Sequence, residues 1–231
     1  MVPERSEARR ANPAAAAAGP RKPRRPRRDA ELNRERLLAA AASAMLRDGR
    51  TVPLATIAAA AGVGVGTLYR SYADREALLH ALQLRAYGFL NRILDEVEGE
   101  QLSGLDAVGR YLAGTLTISE QLVLPLHGAP PLVTPEAVRA RQAINRRLER
   151  FLDRGRAERS IRAEVNATDI IVFSALITQP LPHGPSWHRM AARQIANFLN
   201  GLAASGPIDM PASAVTAGEI ERAFTPGDRS T

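Results

Sequence analysis

Apolar residues recur at helical spacing along most of the chain between residues 29 and 204. Leu54, Ile57, Ala58 and Ala61 fall at i, i+3, i+4 and i+7, one stripe of a 3.6-residue period. Gly62 follows, a residue free to take the positive φ of a tight helix stop. Val63 and Leu68 are apolar plugs that close the angle to a second short helix, leaving Thr67, Tyr69 and Arg70 to point outward. Upstream, Leu38, Ala41, Ala42 and Met45 predict a helix from near Asp29 or Asn33 to Asp48, stopped by Gly49. Downstream, Asp74 is an N-cap and Glu76 an acid in the first turn of a long helix reaching about Glu98. Its inward positions are Leu78, Leu79, Leu82, Phe89, Leu90, Ile93 and Val97.

Further helices are expected at about 103–124, 135–157, 167–178 and 186–204. Ser103, Thr134, Asn166 and Ser186 serve as their caps, and Pro135 and Glu136 reinforce the second start. The run Ile170–Ile177 suits a strand by propensity, but its helical neighbours and the lack of a partner strand keep it helical. The last of the four has Trp187, Met190, Ala191, Phe198 and Leu202 on its apolar face. Beyond Gly206 only Ala217–Phe224 has helical character.

Two short helices crossing about a glycine, with small and hydroxyl-bearing side chains outward, are the geometry of a helix-turn-helix. The segment IAAAAGVGVGTLYRSYADREALL, from Ile57 to Leu79, resembles the DNA-binding signature of TetR-family (tetracycline-repressor-like) transcriptional regulators. The likeness is carried by Ile57-Ala58, Ala61-Gly62-Val63, Gly66-Thr67-Leu68-Tyr69, Tyr72 and Arg75-Glu76-Ala77-Leu78. It implies an all-α, two-domain homodimer. A three-helix DNA reader would span 29–73 and a helical effector-binding and dimerisation bundle 74–205, with tails at 1–28 and 206–231. It also implies a four-helix dimer interface from about 167–178 and 186–204.

Charge is segregated. Residues 1–28 hold nine basic and two acidic groups, so they account for the whole net charge of +7. With Pro, Ala and Arg and no apolar period, this stretch reads as a disordered basic tail, unless translation begins downstream of it. The stretch after Arg9-Arg10 is too short and weakly apolar for an export signal. Cysteine is absent, which excludes disulfides, thiolate nucleophiles and Cys-ligated zinc. The four histidines form no i, i+4 pair, and GVGVG follows an Ala-rich helix rather than a strand, so neither a metal nor a dinucleotide site is indicated. No cofactor, no catalysis, no membrane span and a cytoplasmic location are expected.

The DNA-contact candidates are Gly64, Val65, Thr67, Tyr69, Arg70, Tyr72 and Arg75. The resemblance implies that Tyr69 meets the phosphate backbone, Thr67 a phosphate or base, and Arg75 a phosphate at the start of the fourth helix. Gly64 and Val65 replace the family's usual polar pair, leaving a thymine-methyl contact from Val65. A small apolar effector, not identifiable from the residues, is expected in the bundle. Tyr111, Thr115, Gln121, His127, Phe173 and Trp187 are its candidate neighbours. The function expected is a ligand-responsive regulator, a repressor released from a palindromic operator. The alternative is an architectural DNA-binding protein with little sequence preference, gripping through its arm.

Overall fold

The structure is a computed structural model that describes residues 25–49, 51–122, 133–178, 186–204 and 214–224. Among the described residues the regular elements are all helical, apart from one isolated bridge between Ile161 and Ala203. The helices are α1 (Arg25–Asp48), α2 (Leu54–Ala60), α3 (Val65–Ser71), α4 (Arg75–Gly99), α5 (Gly104–Thr117), α6 (Pro135–Ala157), α7 (Ala167–Ile177), α8 (Trp187–Leu202) and α9 (Ala217–Phe224).

Two apolar cores are strung on α4. The first joins Leu37, Leu38, Ala41, Ala42 and Met45 of α1 to Ile57, Ala58, Leu68 and Tyr72, and closes on Leu78 and Leu82 of α4. This assembly is the head. The second begins at Tyr87 and gathers Leu94, Tyr111, Leu112, Leu148, Phe151 and Ile170, among others, into a body of α4–α8. At about 1.5 Å per residue, the 25 residues of α4 give a rod of roughly 37 Å shared by both.

Local chemistry accounts for the helix ends. Asp74 Oδ1 accepts from the Ala77 amide at 2.7 Å, capping α4. Thr134 and Pro135 start α6, and Asn166 and Asp169 form a reciprocal capping box on α7, which is a helix and not a strand. α5 receives a distant cap as well, because Glu158 Oε2 accepts from the Gly104 amide at 2.8 Å. α5 and α6 cross at backbone contact, with Gly104 facing Gly155. α6 is clamped to α4 by Arg147, which donates to Asp95 at 2.6 Å and to Glu98 at 2.8 Å.

Several expectations are corrected. α1 begins at Arg25, so Arg25–Arg28 continue the helix rather than the tail. Pro26 fits there because the first turn of a helix needs no N–H from it. Residues 1–24 lie outside the described residues. α4 runs through Gly99, and Leu79, Phe89 and Leu90 are half-buried while Ala86, Tyr87 and Leu94 take the interior. Phe89 sits at the edge of that stripe, with the guanidiniums of Arg85 and Arg92 at 4.6 and 4.4 Å from its centroid. α5 stops at Thr117, not near 124, and a 3-10 turn follows over Ser119–Gln121. Ser186 gives no capping bond to α8; its hydroxyl accepts from Arg189 instead. Met190, expected inward, is exposed.

Candidate nucleic-acid interface

α3 is seven residues long and is held by what surrounds it rather than by its own length. Gly62 takes φ +69°, and the Gly62 and Val63 amides bond back to Ala59 and Ala58 in the paired pattern of a Schellman stop. The chain then turns through extended Gly64, whose carbonyl accepts from the Thr67 amide at 2.8 Å and opens α3. Leu68 is fully buried against the head core and fixes the rotation of the short helix. Tyr69 is thereby left 51% exposed and Val65 40% exposed.

The remaining candidates divide by surroundings. Thr67 is half-buried and its Oγ1 accepts from Arg70 Nη2 at 2.9 Å, so these two side chains form one outward-facing pair. Gly64 and Gly66 face open space: a Cβ on either would meet nothing within 4 Å, and neither has a positive φ. The fold itself does not demand glycine at these two places. Arg75 starts α4 but is half-buried, and its Nη2 donates to the Val52 carbonyl at 2.6 Å. It ties the loop before α2 to the start of α4, a link across 23 residues that local spacing does not reveal.

Tyr72 departs from expectation. Its place in the motif puts it among the outward contacts, yet it is 2% exposed and belongs to the head core. α3 ends there in extended backbone (φ −139°, ψ 114°), which breaks the helical period and turns the ring inward. Burial pushes its phenol above the ordinary value of 10.0, with the Arg34 guanidinium, 5.2 Å from the ring centroid, pulling the other way. A surface contact from this side chain is incompatible with its position.

Four of the effector candidates, Tyr111, Thr115, Phe173 and Trp187, lie in the body. Tyr111 and Thr115 are fully buried in α5. Thr115 donates to the Leu112 carbonyl at 2.8 Å, and the Tyr111 hydroxyl is paired with Ser174 of α7, its phenol pushed upward by complete burial. Phe173 stacks on Phe198, with ring centroids 3.9 Å apart and planes within 2°. Trp187 is half-buried against the body core. Gln121 faces away from these groups, toward the head, where it accepts from Arg85 at 2.5 Å. His127 lies outside the described residues. A cleft of about 650 Å³ runs between head and body, with Arg34, Tyr72, His80, Arg85 and Glu136 among its walls.

Known proteins share both the head and the body. Residues 37–82 match the family model described as bacterial regulatory proteins, tetR family. No curated protein sequence matches the chain. Among solved structures, the TetR transcriptional regulator SCO0520 from Streptomyces coelicolor is 27% identical, with a TM-score of 0.51, over 75% of this chain and 99% of that one. The ketosteroid transcriptional regulator KstR2 of Mycobacterium tuberculosis is 18% identical, with a TM-score of 0.60, over 74% and 94%. AibR, solved in complex with isovaleryl coenzyme A and operator DNA, is 16% identical, with a TM-score of 0.60, over 74% and 98%. The last two likenesses are of fold alone. No described helix is long and apolar enough to cross a membrane. The matched segment contains most of the head, from Leu37 of α1 through α2 and α3 to Leu82 of α4, and the body around it has the fold of solved regulators. Residues 37–82 thus resemble the helix-turn-helix module of tetR-family bacterial regulatory proteins, and the chain has the all-helical fold of solved TetR regulators, with an N-terminal helix-turn-helix and a helical C-terminal body.

Proposed function

We propose that the protein is a ligand-responsive repressor that binds a palindromic operator as a homodimer and is released by a small-molecule effector. The observation that carries this reading is the outward face of α3, where Val65, Thr67, Tyr69 and Arg70 stand on a buried Leu68 anchor. Glycines that packing does not require, at 64 and 66, suit a backbone that must approach a partner closely. Tyr69 and the Thr67–Arg70 pair are the proposed phosphate and base contacts, Val65 the apolar one, and Arg75 the tie that seats the reader. Tyr72 has no part in the contact surface.

Dimerisation is supported by α7 and α8, on which Val172, Leu176 and Met190 stand exposed, Leu176 at 61%. Two readers related by a two-fold axis would meet half-sites one helical turn apart, roughly 34 Å. An effector that favoured a different separation would lower affinity by its own preference for that state. AibR, solved with both a coenzyme A thioester and operator DNA, is a fold relative that binds both classes of partner. A cytoplasmic location follows from the same reading.

The test is DNA retention by the full chain on fragments flanking its own coding region, with unrelated DNA as competitor. A regulator should prefer its site by about 10³ or more. Equal retention of unrelated DNA would instead support an architectural role. Sedimentation at micromolar concentration checks the dimer, and a monomer there would contradict the two-fold arrangement.

A further inference from the structure

We infer that Arg85 is a coupling residue, through which the end of α5 in the body sets the hold on α1 in the head. One guanidinium joins three elements. Its Nε donates to Glu35 Oε1 of α1 at 2.6 Å, and its Nη1 donates to Gln121 Oε1 at 2.5 Å, on the 3-10 turn that follows α5. The arginine stem rises from the middle of α4, and the side chain is only 11% exposed. The guanidinium also packs 4.6 Å from the centroid of Phe89, a contact it would have to give up in order to follow a partner.

An arginine fork is planar and rigid, and its two donors point in fixed directions. A shift of the turn by about 1 Å therefore stretches the Gln121 bond beyond hydrogen-bond range, unless Arg85 moves and loosens Glu35. The turn also packs directly on α1, so the same displacement is felt through contact. α1 supplies Leu37, Leu38, Ala41 and Met45 to the core on which α3 is seated. At the other end, α5 carries the buried Tyr111 and Thr115. A second, weaker polar link joins head and body at His80 and Thr134, 3.4 Å apart, between α4 and the start of α6. A change that moves the end of α5 thus reaches the reader by a route that does not require α4 to bend. That this route tunes DNA binding rests on the proposed function; the mechanical coupling does not.

The experiment is native-state hydrogen exchange of α1 and α3 amides in the full chain, comparing Glu35→Ala, Gln121→Ala and the double variant, with Arg85 intact and with Arg85→Lys. Each single variant should speed exchange in the head. The double should fall short of the product of the singles by about fivefold or more, because both bonds depend on one group. With Arg85→Lys the shortfall should vanish. Effects of Glu35→Ala and Gln121→Ala that multiply within about twofold, or a Gln121→Ala effect confined to the turn, would overturn the coupling. Should Arg85→Lys fail to fold, the cycle of the other two residues decides. A wild-type chain that bound no DNA would defeat the proposed function and leave the exchange result standing. Normal DNA binding with an additive cycle would defeat the coupling alone.

Discussion

Gly104→Ala is the sharpest test of how the body is assembled. A Cβ at this position would lie 2.2 Å from the Gly155 nitrogen, 2.5 Å from its Cα and 2.5 Å from the Phe151 carbonyl oxygen. Ordinary contact starts at 3.4 Å, so the nearest shortfall exceeds an ångström, and all three obstacles are backbone. No rotamer change relieves it; α5 and α6 must separate. Separation unpacks Ala107, Val108 and Tyr111 from Leu148, Phe151 and Leu152 and pulls the Gly104 amide off Glu158. Overpacking costs about 1–3 kcal/mol, and backbone obstacles place this case at the upper end. About 3 kcal/mol corresponds to a Tm lowered by roughly 6–12 °C in a chain of this size. Gly155→Ala should cost less, because its obstacles are side-chain atoms of Ile161 (Cδ1 at 2.4, Cγ1 at 2.6 and Cβ at 3.1 Å) rather than backbone of a facing helix. Gly201→Ala, with nothing within 4 Å, should be neutral or slightly stabilising. Thermal and urea unfolding of the three variants, followed by far-ultraviolet circular dichroism, measures the order. A Gly104→Ala protein within about 0.5 kcal/mol of wild type would refute the close crossing of α5 and α6.

The head, the clamp and the tail each offer a further test. Gly66→Ala should leave the fold unharmed or stabilise it by up to about 1 kcal/mol, since alanine is the better helix former, while weakening DNA binding; parallel unfolding and DNA titrations separate the two effects. Tyr72→Ala should destabilise the head by about 3–5 kcal/mol, as truncation of a buried aromatic does, whereas Tyr69→Ala should leave unfolding within about 0.5 kcal/mol of wild type. The hydrogen bond from Arg147 holds the Glu98 carboxyl below its ordinary 4.5, so its contribution is complete above that value and lost as pH falls through the lower folded value; Glu98→Gln should flatten the acid limb of a stability profile. Removing residues 1–24, which leaves α1 whole, should reduce the slope of log K for DNA against log salt by about 0.9 for each phosphate that the tail neutralises, and an unchanged slope would end the idea of a basic arm.

How far the chain could be read depended on where the deciding interaction lay. α6 was legible to the residue because Thr134, Pro135 and Glu136 are adjacent signals acting on one helix end. Asn166 and Asp169 are likewise close in sequence, and their capping box settled Ile170–Ile177 as a helix against its strand propensity. Gly62 and the apolar stripe of α2 located the turn before α3. What escaped was set at long range or by backbone state. Ser186 is in helical backbone (φ −92°, ψ 0°), where its hydroxyl does not cap. The early end of α5 coincides with hydroxyls of Thr115 and Thr117 bonding back to Leu112 and Gly114. Tyr72 sits beside the reader in sequence but beneath α1 in space, and Arg75 is engaged by Val52. Adjacency to a motif says little about which way a side chain points once the helix has ended.

At the centre stands the claim that α3 reads DNA from a rigid seat. The direct measurement compares the wild-type chain with a Thr67→Ala, Tyr69→Ala variant that keeps Arg75 and Tyr72, on the best-retained fragment from the flanking DNA. The expected result is unchanged unfolding and an affinity weakened roughly thirtyfold, as two contacts worth about 1 kcal/mol each would give. Unchanged affinity in a folded double variant would contradict it.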